Sequence, residues 1–418
     1  MEGSDNKNKH NLCHSTDITE RDALTMNIKP EQIRAYRLHA HHLDKKLPLT
    51  ALETAAGACG LQNSPPGAWE TALFNRIENC TLQDLHKALY QQKNLLQAWS
   101  YRGVPVVFPT GQSDIFLSPL QANDNEWPWI YTRGITAALD YLQMSFAELL
   151  PLVQNAAGYL NSHTIKSKEV LDQTLADLVA NDLPADKKTL WNAPSMYGAK
   201  QTVGGAVVSF QLRPCAFAHL VVFGERQGIS PTFTSFQNWT GHAPQLIPDA
   251  NKQLTRKFLH CYGPATVADF ADWLGSCPQQ AKRLWQTAAD ELTTVQVENK
   301  TKYLLADDLT PLQAATITEE TLLLLGAHDP YLDLKDRTII LADKSLHKAV
   351  WKTVANPGVV LKGGRIAGIW KQKLQKNKLD ISITLFESLT ATEQAQLQAL
   401  AADYAAFRLA ELRKFEII

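Results

Sequence analysis

Residues 254–305 read LTRKFLHCYGPATVADFADWLGSCPQQAKRLWQTAADELTTVQVENKTKYLL. LTRKFLHCY predicts a helix, and Gly263-Pro264-Ala265-Thr266 a turn. VADFADWLG predicts a second helix, with Thr266 and Asp269 spaced as N-cap and N3 residue of a capping box. Pro278 then opens PQQAKRLWQTAADEL, because proline suits the first helical position. VQVE-NK-TKYLL predicts a two-residue hairpin whose Asn299 tolerates the positive φ that such turns demand. Three helices followed by a hairpin are the layout of a winged helix, a helix-turn-helix with a protruding β-wing.

The same layout recurs toward the N-terminus. Pro30 opens PEQIRAYRLHAHHLD, with Ile33, Tyr36, Leu38 and Leu43 at mixed helical spacing. TALETAAGAC predicts a helix with Thr50 and Glu53 as a capping box. GAWETALFNRI and TLQDLHKALYQQ, the latter capped by Thr81, continue the series, and LLQAW-SYRG-VPVVFP alternates like two strands around a turn. A weaker middle unit is predicted to hold helices over 130–182 and two β-rich runs, GGAVVSFQLR and HLVVFGERQGISPTFTSF, ending at Trp239. Beyond it, LLLLGAHDPYL predicts a strand entering a loop, GVVLKGGRIAGIWK a hairpin over Gly363-Gly364, and DISITLF a further strand. ATEQAQLQALAADYAAFRLAELRKF predicts a long closing helix.

The expected fold class is therefore α+β: tandem winged-helix units with a C-terminal β-rich region and a closing helix. The boundaries are a disordered tail over 1–25, winged helices over 26–125, 126–245 and 246–310, and the hairpin region with its helix over 311–418. A length of 418 residues agrees with this, at roughly 100–200 residues per domain. The first 25 residues are polar and no run approaches the ~18–20 apolar residues of a membrane span, so the expected location is the cytoplasm. Six scattered cysteines contain no C-x-x-C pair, which predicts reduced thiols and no cysteine-bound metal.

With 41 Lys+Arg against 42 Asp+Glu, bulk charge cannot drive binding to nucleic acid or anionic lipid. The charge is nevertheless uneven. Lys344, Lys348, Lys352, Lys362, Arg365, Lys371, Lys373, Lys376 and Lys378 occupy a window with no aspartate or glutamate. Taken alone, this is either a solvated face or a phosphate-binding surface. Arg102 in the first wing turn, and Lys282 and Arg283 on the later recognition helix, add cations where such folds meet DNA. Together they favour DNA.

H-E-x-x-H, G-x-S-x-G, P-loop and dinucleotide motifs are all missing. His39, His41 and His42 point in different directions on a helix and read better as polar surface than as metal ligands. Asp329 before Pro330-Tyr331 reads as a loop cap rather than a catalytic carboxylate. The odd segment is Gly60-Leu61-Gln62-Asn63-Ser64-Pro65-Pro66-Gly67. It is either a polar turn between helices or an extended strand presenting Gln62 and Ser64 on one face.

The chain resembles the AlkZ-like DNA glycosylases, bacterial winged-helix proteins, from about Arg34 to the C-terminal helix. The resemblance rests on Gly60-Leu61-Gln62, Arg102-Gly103, Tyr262 to Gly275, His328-Asp329-Pro330-Tyr331-Leu332 with Arg337, and Gly368-Ile369-Trp370, taken in their order and spacing. It implies three winged helices around DNA, a β-hairpin near the lesion, and hydrolysis of the N-glycosidic bond of alkylated bases, with cross-link unhooking in some members. The family's catalytic motif, glutamine, an aliphatic residue, then glutamine or aspartate, falls on 62–64. Here Gln62 is kept, while Asn63 and Ser64 depart from the pattern, and serine cannot act as a carboxylate base.

Gln62 and Ser64 are thus the expected catalytic residues, holding a water against an N7-alkylated purine nucleotide whose glycosidic bond is already weakened. Asn63, Arg102, Lys282, Arg283, Lys362, Arg365, Lys371 and Lys373 are the expected DNA contacts. No lysine lies in the motif, so hydrolysis without strand cleavage is expected. The expected partner is damaged double-stranded DNA, bound by a monomer associated with the nucleoid, with no membrane, cofactor or metal. The competing readings are a non-catalytic DNA-binding regulator on the same scaffold, favoured by Ser64, and a protein–protein adaptor.

Overall fold

The computed structural model describes residues 26–418 apart from 127–129, 199 and 318–320, so the tail predicted over 1–25 lies outside the described residues. The chain is a mixed α+β fold. Residues 250–305 form helices Ala250–Tyr262, Val267–Leu274 and Pro278–Gln286, then strands that pair as a hairpin. Thr266 and Asp269 form the predicted capping box, and Gly275 ends the second helix in the left-handed conformation. The hairpin turn sits one residue earlier than predicted, on Glu298 and Asn299, with φ of 49° and 62°. A two-residue turn of this hand needs positive φ at both central positions, and the pairing of Val297 with Lys300 decides which two residues those are.

Upstream, helices Pro30–Ala40, Ala68–Phe74 and Leu82–His86 match expectation, and Thr81 forms its capping box with Asp84. Thr50 does not cap. Residues Leu49–Ala51 make a tight 3₁₀ turn after extended Pro48, and the α-helix begins only at Leu52. In chain order the first strands are β1 (Leu61–Gln62), β2 (Leu95–Trp99) and β3 (Pro105–Pro109), an antiparallel sheet in the order β1-β3-β2. The wing predicted over 95–109 is thus a hairpin that takes on the Gln62 segment as a third strand.

The middle segment corrects one prediction. Of its β-rich runs, only β4 (Ile165–Lys166), β5 (Val222–Phe223) and β6 (Thr232–Thr234) form strands. GGAVVSFQLR lies within a helix, Val203–Phe217, capped by the Thr202 hydroxyl accepting from the Gly205 N–H at 2.9 Å. Val203, Val207, Val208, Leu212 and Cys215 are all fully buried. A helix wrapped by core on most sides has no polar stripe, so its period of 3.6 cannot be seen in the letters.

After β7 (Leu292–Val297) and β8 (Lys300–Leu305), the C-terminal region is a five-stranded sheet of β9 (Leu322–Leu325), β10 (Gly358–Lys362), β11 (Arg365–Gln375), β12 (Lys378–Leu385) and β13 (Glu411–Ile417). Its order is β13-β12-β11-β10-β9, antiparallel except for the parallel β12–β13 pair. The predicted closing helix therefore stops at Phe407, and residues predicted to extend it form β13 instead. Pairing with β12 satisfies backbone groups that an exposed sheet edge would leave open, which outweighs helix propensity here.

The cores do not follow the serial units. Leu61, Trp69, Leu73 and Val107 of the first unit share one core with Trp370, Ile381, Leu397 and Tyr404 of the C-terminal region. Gly358 permits that packing: a Cβ there would lie 2.3 Å from Trp370 Nε1, which donates to the Leu325 carbonyl at 2.8 Å. Gly358→Ala is expected to destabilise by about 1–3 kcal/mol through overpacking, read as a lowered Tm in thermal denaturation.

Candidate functional site

The 60–64 segment is extended because Gly60 turns the chain out of helix Leu52–Gly57 with φ of +77°; a Cβ there would meet Val106 at 2.8 Å. Gln62 then pairs with Val106, and the Asn63 N–H donates to the Pro105 carbonyl at 2.8 Å. Gln62 is buried, only 7% exposed. Both ends of its amide are engaged. Nε2 donates to the Ser64 carbonyl at 2.8 Å, and Oε1 accepts from Arg102 Nη2 at 3.1 Å. Ser64 is half-buried, and among the described residues nothing hydrogen-bonds its hydroxyl.

Arg102 sits in the turn between β2 and β3 with φ of 57°, a conformation that costs a non-glycine residue of order 1–2 kcal/mol. Its guanidinium turns inward. Nη2 also donates to Asp333 Oδ2 at 2.8 Å, and Nη1 to the Trp273 carbonyl at 3.4 Å. Its ring neighbour Tyr101 stacks on Trp273 at 4.3 Å and donates to the Cys59 carbonyl. Burial opposes the charge on Arg102, but Asp333 more than restores it. Burial also pushes Asp333 up to about 6, with Arg102 pulling it down less than burial raises it. The expected role of Arg102 as a phosphate contact is therefore corrected: its charge is spent inside the protein, on Gln62 and Asp333.

Several other expected DNA contacts are likewise engaged internally. The Asn63 side chain donates to Gln97 Oε1 at 3.0 Å and accepts from the Gly67 N–H at 2.7 Å, bracketing the loop that follows Gln62. Arg283 pairs with Glu126 at 2.8 Å, so of the two cations on helix Pro278–Gln286 only its neighbour Lys282 is exposed. Lys362 pairs with Glu393 at 2.7 Å, and that carboxylate raises its pKa. The Gly363-Gly364 turn does not reach outward: both residues are buried, and Tyr331 donates to the Gly364 carbonyl at 2.9 Å. Arg365 is exposed beside it. The protruding element is instead the far end of β11 and β12, where residues 371–378, with Lys371, Lys373, Lys376 and Lys378, are all exposed.

Three cavities adjoin the Gln62 segment or its partner Arg102: one of about 380 Å³, lined by Asn63, Gly67 and Arg226, and two larger ones. Of the larger two, one, of about 540 Å³, is lined by Pro65, Gly67, Lys352, Trp370, Lys371 and Arg408. The other, of about 520 Å³, is lined by Arg102, Arg133, Trp273, Asp333, Lys335 and Arg337. Gln62 itself lines none of the three. Its neighbours Pro65 and Gly67 open onto the 540 Å³ cavity, and its partner Arg102 onto the 520 Å³ one. Behind it, Arg76 holds Asp329 through two 2.8 Å hydrogen bonds. Asp329 also accepts from the Tyr331 N–H, the loop cap that its place before Pro330 predicts. Asp333 and Arg76 carry no signal in the sequence; Asp333 follows the His328–Leu332 string by one residue.

His41 corrects the expectation of a polar histidine surface. It is 1% exposed, against the rings of Tyr262 and Tyr331, and its ligand atom lies within 4.8 Å of the Cys59 and Cys261 sulfurs. No fourth His, Cys, Asp or Glu joins this set among the described residues, whereas closed zinc sites take four ligands. Cys59 is already contacted by Tyr262 Oη at 3.6 Å, so the trio reads as a packed thiol–imidazole contact. Among the described residues no helix is long and apolar enough to cross a membrane.

The chain belongs to the DNA glycosylase AlkZ-like family, whose pattern matches residues 55–407. The interstrand DNA cross-link repair glycosylase of Streptomyces sahachiroi is 25% identical over 356 residues, covering 81% of this chain and 87% of that protein. The solved structure of the Streptomyces sahachiroi DNA glycosylase AlkZ superposes with a TM-score of 0.72 at 21% identity, over 94% of this chain and 100% of that one. The fold is shared along nearly the whole chain.

Proposed function

We propose that this protein is a monofunctional DNA glycosylase that releases alkylated, N7-type purines or unhooks cross-links in duplex DNA by hydrolysis. The reading assigns DNA binding to three winged helices over 26–125, 126–245 and 246–310 and to the hairpin region over 311–418, acting as a monomer. The observation that carries it is the family match over residues 55–407, together with the place of Gln62, whose neighbours Pro65 and Gly67 open onto one cavity and whose partner Arg102 opens onto another. An N7-alkylated nucleotide is positively charged, so its C1′–N9 bond breaks with both electrons leaving on the base. The base departs neutral, a water oxygen bonds to C1′, and the proton of that water passes to solvent. Arg102 takes one lone pair of Gln62 Oε1, and the second remains to orient the water. Ser64 Oγ holds it from the other side.

The test is base release from a duplex containing N7-methylguanine. Release of the free base with an intact strand supports the reading, and no release from methylated or cross-linked duplexes overturns it. The burial of Gln62 and the Ser64 departure favour a second reading, a non-catalytic DNA-binding regulator. That protein would bind undamaged duplexes with a definite sequence preference and release nothing.

The DNA grip is assigned to the exposed β11–β12 end. Replacing Lys371, Lys373, Lys376 and Lys378 by glutamine is expected to flatten log affinity against log salt by about 0.9 for each phosphate that is no longer neutralised. Lys362→Gln, which breaks an internal pair, is expected to leave that slope unchanged. Fluorescence anisotropy across a salt series separates the two outcomes.

A further inference from the structure

Resting on the glycosylase reading above, we propose that Asp333 is a positioning residue for base release, supplying through Arg102 the negative charge that Ser64 cannot. One nitrogen, Arg102 Nη2, donates to both Gln62 Oε1 at 3.1 Å and Asp333 Oδ2 at 2.8 Å. The carboxylate oxygen therefore lies within about 6 Å of the Gln62 amide oxygen, which the glycosylase reading sets beside the reacting sugar. Its placement is rigid. The Asp333 N–H donates to the Pro330 carbonyl at 3.0 Å, in the turn that Asp329 caps and Arg76 anchors.

The chemistry explains why a carboxylate is needed there. Breaking the glycosidic bond leaves an electron-poor sugar, and a bare guanidinium beside Gln62 opposes that charge. Asp333 cancels the guanidinium and fixes its orientation, so that Gln62 acts in a neutral rather than a cationic setting. Ser64, two residues beyond Gln62, is uncharged, and the acid stands on another loop, lining the 520 Å³ cavity together with Arg102.

The test compares binding to two duplexes, one holding a cationic pyrrolidine in place of the sugar and one a neutral tetrahydrofuran. Wild-type protein is expected to prefer the cationic duplex by at least about tenfold. Asp333→Asn is expected to lose that preference while keeping its affinity for the neutral duplex, and Ser64→Asp in the same chain is expected to restore it. A merely structural aspartate would weaken both duplexes alike. A preference kept in Asp333→Asn, or not restored by Ser64→Asp, overturns the assignment. So does the absence of any preference in wild-type protein, a measurement that stands even where the variant fails to fold. Base release by wild-type protein judges the glycosylase reading separately: release together with a preference kept in Asp333→Asn sinks only the role of Asp333.

Discussion

Gln62→Ala is expected to slow single-turnover release of N7-methylguanine by about 10²–10³-fold, the usual cost of removing one preorganised polar group at a reacting centre. The substitution removes the acceptor that the proposed mechanism uses to orient the water, and also the partner that holds Arg102 Nη2 on that side of the site. The fold should survive, because the hydrogen bonds removed are two and one of them goes to the nearby Ser64 carbonyl. At about 0.5–1.5 kcal/mol net for each, the variant remains a folded protein by circular dichroism. Duplex affinity should change little, since the exposed lysines of the β11–β12 end are untouched. Equal release rates in the two proteins would remove Gln62 from the chemistry.

Asp329→Asn is the substitution with the largest expected effect on stability. Arg76 and Asp329 form a two-pronged ion pair whose side chains are 2% and 0% exposed. Burial opposes the charge on Arg76, and Asp329 more than restores it. Asparagine keeps the shape but leaves a guanidinium with no counter-charge in the core, at a cost of about 3–5 kcal/mol. Urea denaturation at neutral pH measures this directly. Replacing both partners with apolar residues of similar volume should recover much of the loss, because the penalty comes from the unpaired charge rather than from the absent pair. Because this pair anchors the turn carrying Asp333, Asp329→Asn should also loosen Arg102, and with it Gln62.

Much of the molecule is legible in its sequence. Thr81 and Thr266 cap helices through side chains only three residues from their partners, and such patterns survive in the letters. The hairpin strands over 95–109 and the Gly363-Gly364 and Glu298-Asn299 turns are similarly local, although the last falls one residue earlier than its letters suggest. The Gly-Leu-Gln segment and its order among the other family strings point to the family, and the match over 55–407 agrees.

Tertiary structure alone decides the rest. Helix Val203–Phe217 hides because its burial erases the polar stripe by which helices are read, and β13 hides because only the open edge of β12 makes a strand there worthwhile. The charges mislead for a related reason. A lysine or arginine looks like a phosphate contact until a carboxylate from elsewhere is folded against it: Glu126 against Arg283, Glu393 against Lys362, Asp333 against Arg102. The last two partners are separated by 231 positions in the chain and the Arg76–Asp329 pair by 253. Local backbone preferences act over a few residues and can be read in order along a sequence. Pairings across such separations exist only once the cores have closed, and in this protein they determine which cations remain for DNA and which hold Gln62 in place.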